Sequence, residues 1–160
     1  MHSFERQVSD QTLAQGIAEY HEAHPQLAKG RGVSAESEEF FRCHDAAHVV
    51  FGCGNTLSDE AVVKIASLIG TTAGFRVLNG YRLHESLEIY SKLRLLDVFR
   101  SAVQSVFLIP RTAYRCLRQT RRWPWEDFER YVDVPLREIR EEFSIRVAHS
   151  TSNAINVCLF

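Results

Sequence analysis

The stretch FFRCHDAAHVVFGCGNTLSDEAVVKIASLIG, Phe40 to Gly70, decides the fold. Its first part carries Phe40, His44, Ala47, His48 and Phe51 at steps of three and four, the spacing of one helix face. Gly52 is placed to end that helix, and Asp59 and Glu60 open another with acids in its first turn. The loop between them is short and glycine-rich, so it folds the second helix of the pair back against the first. An antiparallel helix pair is the unit of an all-α bundle.

The same punctuation continues outward. Ser9 is placed to cap a first helix through about His21, stopped near Pro25. AKGRGVS reads as a loop, and Ser34 caps the helix that Gly52 ends. Ser58 is the expected cap of the third helix, DEAVVKIASLIGTTAGF, and LNGYRL reads as a turn. One long or two broken helices follow, ended by Pro110, then another from Arg111 to about Arg122. Pro135 opens a last helix, PLREIREEF. The sequence thus predicts an all-α, single-domain helical bundle of about six to seven helices over residues 1–145, with residues 146–160 as a C-terminal tail.

A chain of 160 residues can bury a real core as one domain. With 45% hydrophobic and 24% charged residues, it falls outside the disordered and collagen-like classes. A net charge of -1 gives no global attraction to nucleic acid, and none is expected as a partner. The first residues, MHSFERQVSDQ, lack the apolar centre of a secretory signal, and no apolar run approaches the roughly 20 residues of a bilayer span. The expected location is cytoplasmic, at most peripheral on the inner membrane. Cys43, Cys53, Cys116 and Cys158 show no C-x-x-C spacing and are expected as reduced, packed thiols.

His44 and His48 share the inward face of their helix, so both imidazoles need partners for two ring nitrogens in an apolar setting. A metal with an outer acceptor supplies both. Asp45 lies about 100° round the helix, where a ligand role and a role beside the ligands are equal on spacing. Glu60, near the start of the returning helix, falls close to the end that carries His48. Two histidines with carboxylates form a mixed N/O set suited to zinc, Fe(II), Mn or Co. Histidines four apart also occur as ordinary core residues; the inward face and Glu60 weigh toward a metal.

HDAAH, eleven residues and then Glu60 resembles the HD-x-x-H-x11-E signature of the fourth Coq protein family of ubiquinone (coenzyme Q) biosynthesis. Gly52, four residues after the second histidine, adds to the likeness. So does VPLREIREEFSI, similar to the family's Pro-Leu-x-x-(Leu/Val)-Arg-x-Glu-Leu-Gly-Ile ending, with Phe143-Ser144 where the family has Leu-Gly. The similarity runs from about Phe40 to Ile145. It implies that His44, Asp45, His48 and Glu60 bind a divalent metal, usually described as zinc. It further implies an all-helical homodimer that holds a prenyl lipid beside the metal. The family is implicated in oxidative decarboxylation at ring carbon C1 of a prenylated quinone precursor, and in organising the other quinone-biosynthesis enzymes.

Two further features suit such a partner. Ala66, Gly70 and Gly74 repeat every four residues; close helix packing is the favoured reading of such small residues, and a prenyl tail could still lie along the same groove. RTAYRCLRQTRR has five arginines and no acid; Arg111, Arg115, Arg118 and Arg122 recur at helical spacing, as a solvated face or as a contact for an anionic membrane surface. His84 with Glu85 could form a proton relay, but solvent-facing polar side chains are the favoured reading.

Rival readings stay open. An HD-type metal-dependent phosphohydrolase would use His21 or His24, then His44-Asp45, then Asp97. A zinc protease fits less well, since Asp45 is one methylene shorter than the expected glutamate base. A non-catalytic prenyl-lipid scaffold needs the same groove and site as an enzyme, so enzyme and scaffold are not separated by sequence.

Overall fold

The computed structural model of the protein describes residues 1–25, 34–83 and 107–148. Six helices lie within these residues, and no strands, so the fold is an all-α single-domain bundle as the sequence predicts. They are α1 (Leu13–Ala23), α2 (Ala35–Phe51), α3 (Leu57–Gly70), α4 (Val77–Leu83), α5 (residues 107–117) and α6 (Leu136–Phe143).

The helix starts follow side-chain capping, not always at the expected residue. Ser34 caps α2, its hydroxyl accepting from the Ser37 N–H. Thr12 rather than Ser9 caps α1, in a reciprocal box with Gln15. Ser9 is engaged elsewhere: the Ser9 and Gln11 carbonyls accept from the Arg137 and Leu136 N–H groups, so this segment runs beside the start of α6. Thr56 rather than Ser58 caps α3, because Asp59 sits at the position that completes a box with Thr56.

α2 ends at Gly52 in the left-handed conformation, φ +66°. A Cβ there would lie 2.7 Å from Val147 Cβ, so the site needs both the conformation and the absence of a side chain. Gly52→Ala is expected to cost about 1–3 kcal/mol, read as an earlier urea-unfolding midpoint.

α3 stops at Gly70, short of the expected Phe75, because Trp123 intervenes: its N–H takes the Gly70 carbonyl at 2.8 Å and its carbonyl takes the Thr72 N–H at 2.9 Å. LNGYRL is not a turn but part of α4. Its glycine serves a close approach, since a Cβ on Gly80 would meet the Phe40 ring. Pro110 does not end a helix; α5 runs through it, since proline keeps a helical φ and forfeits one N–H. α5 then ends at residue 117, before the expected Arg122. α6 starts after Pro135 and closes at Ser144, φ 56°, a left-handed position that a serine fills at some strain.

α2 is central and packs against α1, α3, α4 and α6. Phe4, Leu13, Tyr20, Val49, Val50, Val63, Leu136, Ile139 and Phe143 form the middle of the core. Gly16 lets α1 close on α2, since a Cβ there would sit 2.6 Å from Val49 Cγ1. Residues 145–148 lie against the end of α2, where the Ala148 N–H donates to the Phe51 carbonyl at 3.0 Å. Cys43, Cys53 and Cys116 are buried free thiols, and burial pushes Cys43 and Cys116 up to about 12. Among the described residues no helix is long and apolar enough to cross a membrane.

Candidate metal centre

The site forms where the last two turns of α2 meet the first turn of α3. His44 and His48 are buried on the inward face of α2, and Glu60 reaches them from α3. The Glu60 carboxylate straddles the two rings: Oε1 is 3.2 Å from His48 Nε2 and Oε2 is 3.7 Å from His44 Nε2. One ligand atom from each of the three lies within 4.8 Å of the others, and among the described residues no other group of three such side chains does so. This group could hold a metal ion.

The tautomer of His48 follows from its other nitrogen. Nδ1 lies 2.8 Å from the Gly54 carbonyl, which only accepts, so Nδ1 carries a proton and donates. Nε2 is buried without a well-formed hydrogen bond even though Glu60 is near. A neutral His48 therefore turns a lone pair toward a carboxylate lone pair. A proton or a cation between them relieves the repulsion, and a divalent metal suits the donor set. The glycine-rich loop thus does more than reverse the chain: its Gly54 carbonyl orients the His48 ring.

The rings are held by stacking. Phe40 lies over His44 with centroids 5.8 Å apart and planes 23° from parallel. Tyr20 lies over His48 at 5.0 Å and 26°, and the two imidazoles meet edge to face at 4.6 Å. Tyr20 is a site residue that the sequence reading did not name; Leu13, Gly16 and Tyr20 mark the inward stripe of α1 by their three- and four-residue steps.

Charge follows the same geometry. Burial, and then the neighbouring His48, push His44 down to about 4, so it is neutral near pH 7. For His48, burial opposes the charged form, but the Glu60 carboxylate beside its Nε2 outweighs it and raises the pKa. Burial likewise opposes ionisation of Glu60, and His48 and His44 outweigh it, taking the carboxyl down to about 2. Burial and the Glu60 and Asp45 carboxylates raise the Tyr20 pKa, so its phenol stays protonated.

Asp45 is adjacent to this group but outside it. Its Oδ2 lies 2.7 Å from His21 Nε2 at the end of α1. Of the four expected residues, His44, His48 and Glu60 converge, while the rotation of one residue along the helix turns Asp45 toward α1 and His21.

The other expected positions divide. Ala66 and Gly70 do not line an open groove, because their face of α3 is filled. A Cβ on Gly70 would meet Gln119 Oε1 at 2.9 Å, Cys116 Sγ at 3.0 Å and Phe51 Cζ at 3.2 Å. Gly74 lies beyond the end of α3, so it does not continue the stripe. The arginine stripe is also broken. Arg115 turns inward, its Nη1 donating to the Val147 carbonyl at 2.6 Å and the Ala148 carbonyl at 3.1 Å. Arg111, Arg118 and Arg122 are exposed, with Arg122 past the helix end. His84, Glu85 and Asp97 lie outside the described residues.

No protein-family model, curated protein or solved structure matches this chain.

Proposed function

We propose that this chain is a divalent-metal protein of the ubiquinone-biosynthesis type, which acts on a prenylated aromatic quinone precursor by oxidative decarboxylation at ring carbon C1. The observation that carries the reading is the convergence of His44, His48 and Glu60, the two histidines and the glutamate of the HD-x-x-H-x11-E pattern, within 4.8 Å. In that reaction the bond from the ring to the carboxylate breaks, CO2 leaves and a hydroxyl takes its place. A peroxide-level oxidant supplies the oxygen atom, accepts two electrons and leaves as hydroxide.

His48 and His44 would bind the metal through Nε2 and Glu60 through its carboxylate, with Gly54, Tyr20 and Phe40 fixing the rings. A divalent ion there supplies Lewis-acid polarisation of a ring oxygen or carboxylate, and iron or manganese adds redox chemistry that zinc lacks. The stacked aromatic rings exclude water from one side of the site. Asp45 with His21 sets a carboxylate–imidazole pair beside the ligands, and His21 is about one-third exposed, open to exchange with solvent.

The same pair supports a second reading, the HD-type phosphohydrolase, in which His21, His44 and Asp45 act with Asp97. Metal content of the purified protein, measured by mass spectrometry, separates the two. Near one metal per chain, lost in Glu60→Ala and kept in Asp97→Ala, is the expected result. Loss in Asp97→Ala with retention in Glu60→Ala would move the assignment to the phosphohydrolase, and no metal in wild type would remove both. Conversion of a prenylated hydroxybenzoate by the metal-loaded protein then separates enzyme from scaffold.

A further inference from the structure

We propose that the outward face of α5 docks on the surface of an anionic lipid bilayer. The inward side of α5 is set by Thr112 and Cys116, both buried, with Cys116 facing Gly70 of α3. At about 100° per residue, Phe107, Pro110, Arg111, Tyr114, Leu117 and Arg118 fall together on the opposite side, in a sector about 120° wide. Phe107 is 76% exposed, Tyr114 60% and Leu117 73%. A helix on a water-facing surface ordinarily turns polar side chains outward and hides the large apolar ones. Here the inward side holds Leu108, Ile109, Thr112 and Cys116, yet three further large apolar side chains, Phe107, Tyr114 and Leu117, are left outside.

The charge on this face has one sign. No Asp or Glu occurs from residue 107 to residue 122, and Arg111, Arg118 and Arg122 are exposed; Arg121 is set apart, paired with Glu142. The Arg118 guanidinium lies 5.6 Å from the centroid of the Tyr114 ring, so cation and aromatic share one surface. Arginines interleaved with an aromatic and aliphatic row match a bilayer interface. The guanidinium groups meet lipid phosphates, while Phe107, Tyr114 and Leu117 enter the boundary between headgroups and acyl chains. A second copy docked on a two-fold axis would set this arginine set against itself. A nucleic acid backbone would take the arginines and leave Phe107 and Leu117 in water.

This surface is independent of the metal centre, and so is its test. The full chain is sedimented with phosphatidylcholine vesicles and with phosphatidylcholine vesicles containing phosphatidylglycerol. Binding is expected only with the anionic vesicles, and less of it as salt is raised. Arg118→Glu and Leu117→Ser are each expected to weaken binding about tenfold. Both side chains are exposed, so the urea-unfolding midpoints of the two variants should stay with wild type. Glu60→Ala should bind vesicles as wild type does. Absence of vesicle binding, equal binding to neutral vesicles, or indifference to both substitutions would overturn the inference. So would a dimer in light scattering that Leu117→Ser dissolves, which would give the face to a second copy.

Discussion

Arg140→Met is expected to destabilise the protein by about 3–5 kcal/mol, with the urea-unfolding midpoint falling accordingly. Arg140 is 1% exposed, and no carboxylate is among its hydrogen-bond acceptors. Its acceptors are main-chain carbonyls. Nε donates to Val50 O at 2.9 Å and Nη2 to Val49 O at 2.8 Å, which satisfies carbonyls at the end of α2. The same guanidinium also donates to the carbonyls of Phe4, Arg6 and Gln7. One planar fork thereby joins the end of α2 to the N-terminal segment. Burial brings its pKa down only to about 10, so the group is still a cation at neutral pH.

Methionine keeps much of the volume but withdraws the guanidinium from all five carbonyls; the Val49 carbonyl keeps the Gly52 N–H at 3.2 Å, and the others lose a charged donor. Since a domain's whole stability is about 5–15 kcal/mol, the loss is a large share of it. Arg140→Lys should recover part of the loss, because an ammonium keeps the charge but cannot reproduce the fork. A shift below about 1 kcal/mol in Arg140→Met would show that water replaces the guanidinium at little cost, and would sink this account.

Zinc added to metal-free wild type is expected to raise the unfolding free energy by about 4 kcal/mol at a free concentration a thousandfold above Kd. Glu60→Ala should show almost none of that response. Glu60 is the only contribution of α3 to the group; without it, His44 and His48 remain on one helix and the ion no longer ties two helices together. The metal-free variant should lose only about 1 kcal/mol, since the removed acid lies in a helix first turn and is about one-quarter exposed.

The pH dependence has a definite sign. Glu60 holds a proton on His48 more firmly than usual, and the metal must displace it. Metal stabilisation therefore shrinks as pH falls through the histidine range and grows as pH rises. The expected readout is the difference in thermal midpoint with and without zinc, for wild type and variant across that range. Equal stabilisation of both proteins at every pH would count against Glu60 as a ligand.

Local punctuation made much of the bundle readable. Ser34 and Gly52 set the limits of α2, and Pro135 marked the start of α6, because those signals act on neighbouring backbone alone. Caps chosen between near neighbours were less readable. Ser9 and Thr12 are both competent, and the pairing of residues 9–12 with the start of α6 decides for Thr12. Gly80 looked like a turn because sequence does not reveal that Phe40 lies against it.

The metal group was legible in part. Helical spacing put His44 and His48 together, and the short loop brought Glu60 to them, but spacing could not decide which way Asp45 faces. Arg140 shows the same limit from the other side. Leu136, Ile139, Arg140 and Phe143 share one helical stripe, so an inward arginine was readable. Its acceptors were not, because they belong to residues far away in the chain.

The end of α2 carries a consequence for biogenesis. It is held from both extremities of the described chain: by Phe4, Arg6 and Gln7 through Arg140, and by Val147 and Ala148 through Arg115 and the Phe51 carbonyl. On the ribosome, α2 and α3 can pair soon after they emerge, so His44, His48 and Glu60 come together early. The seat of that pair is finished only when residues 140–148 arrive, by contacts that close most of the chain into a loop and so form slowly. A nascent chain can therefore gather the two histidines and the glutamate before its architecture is locked, and capture of an ion, if that group holds one, would precede the final closure.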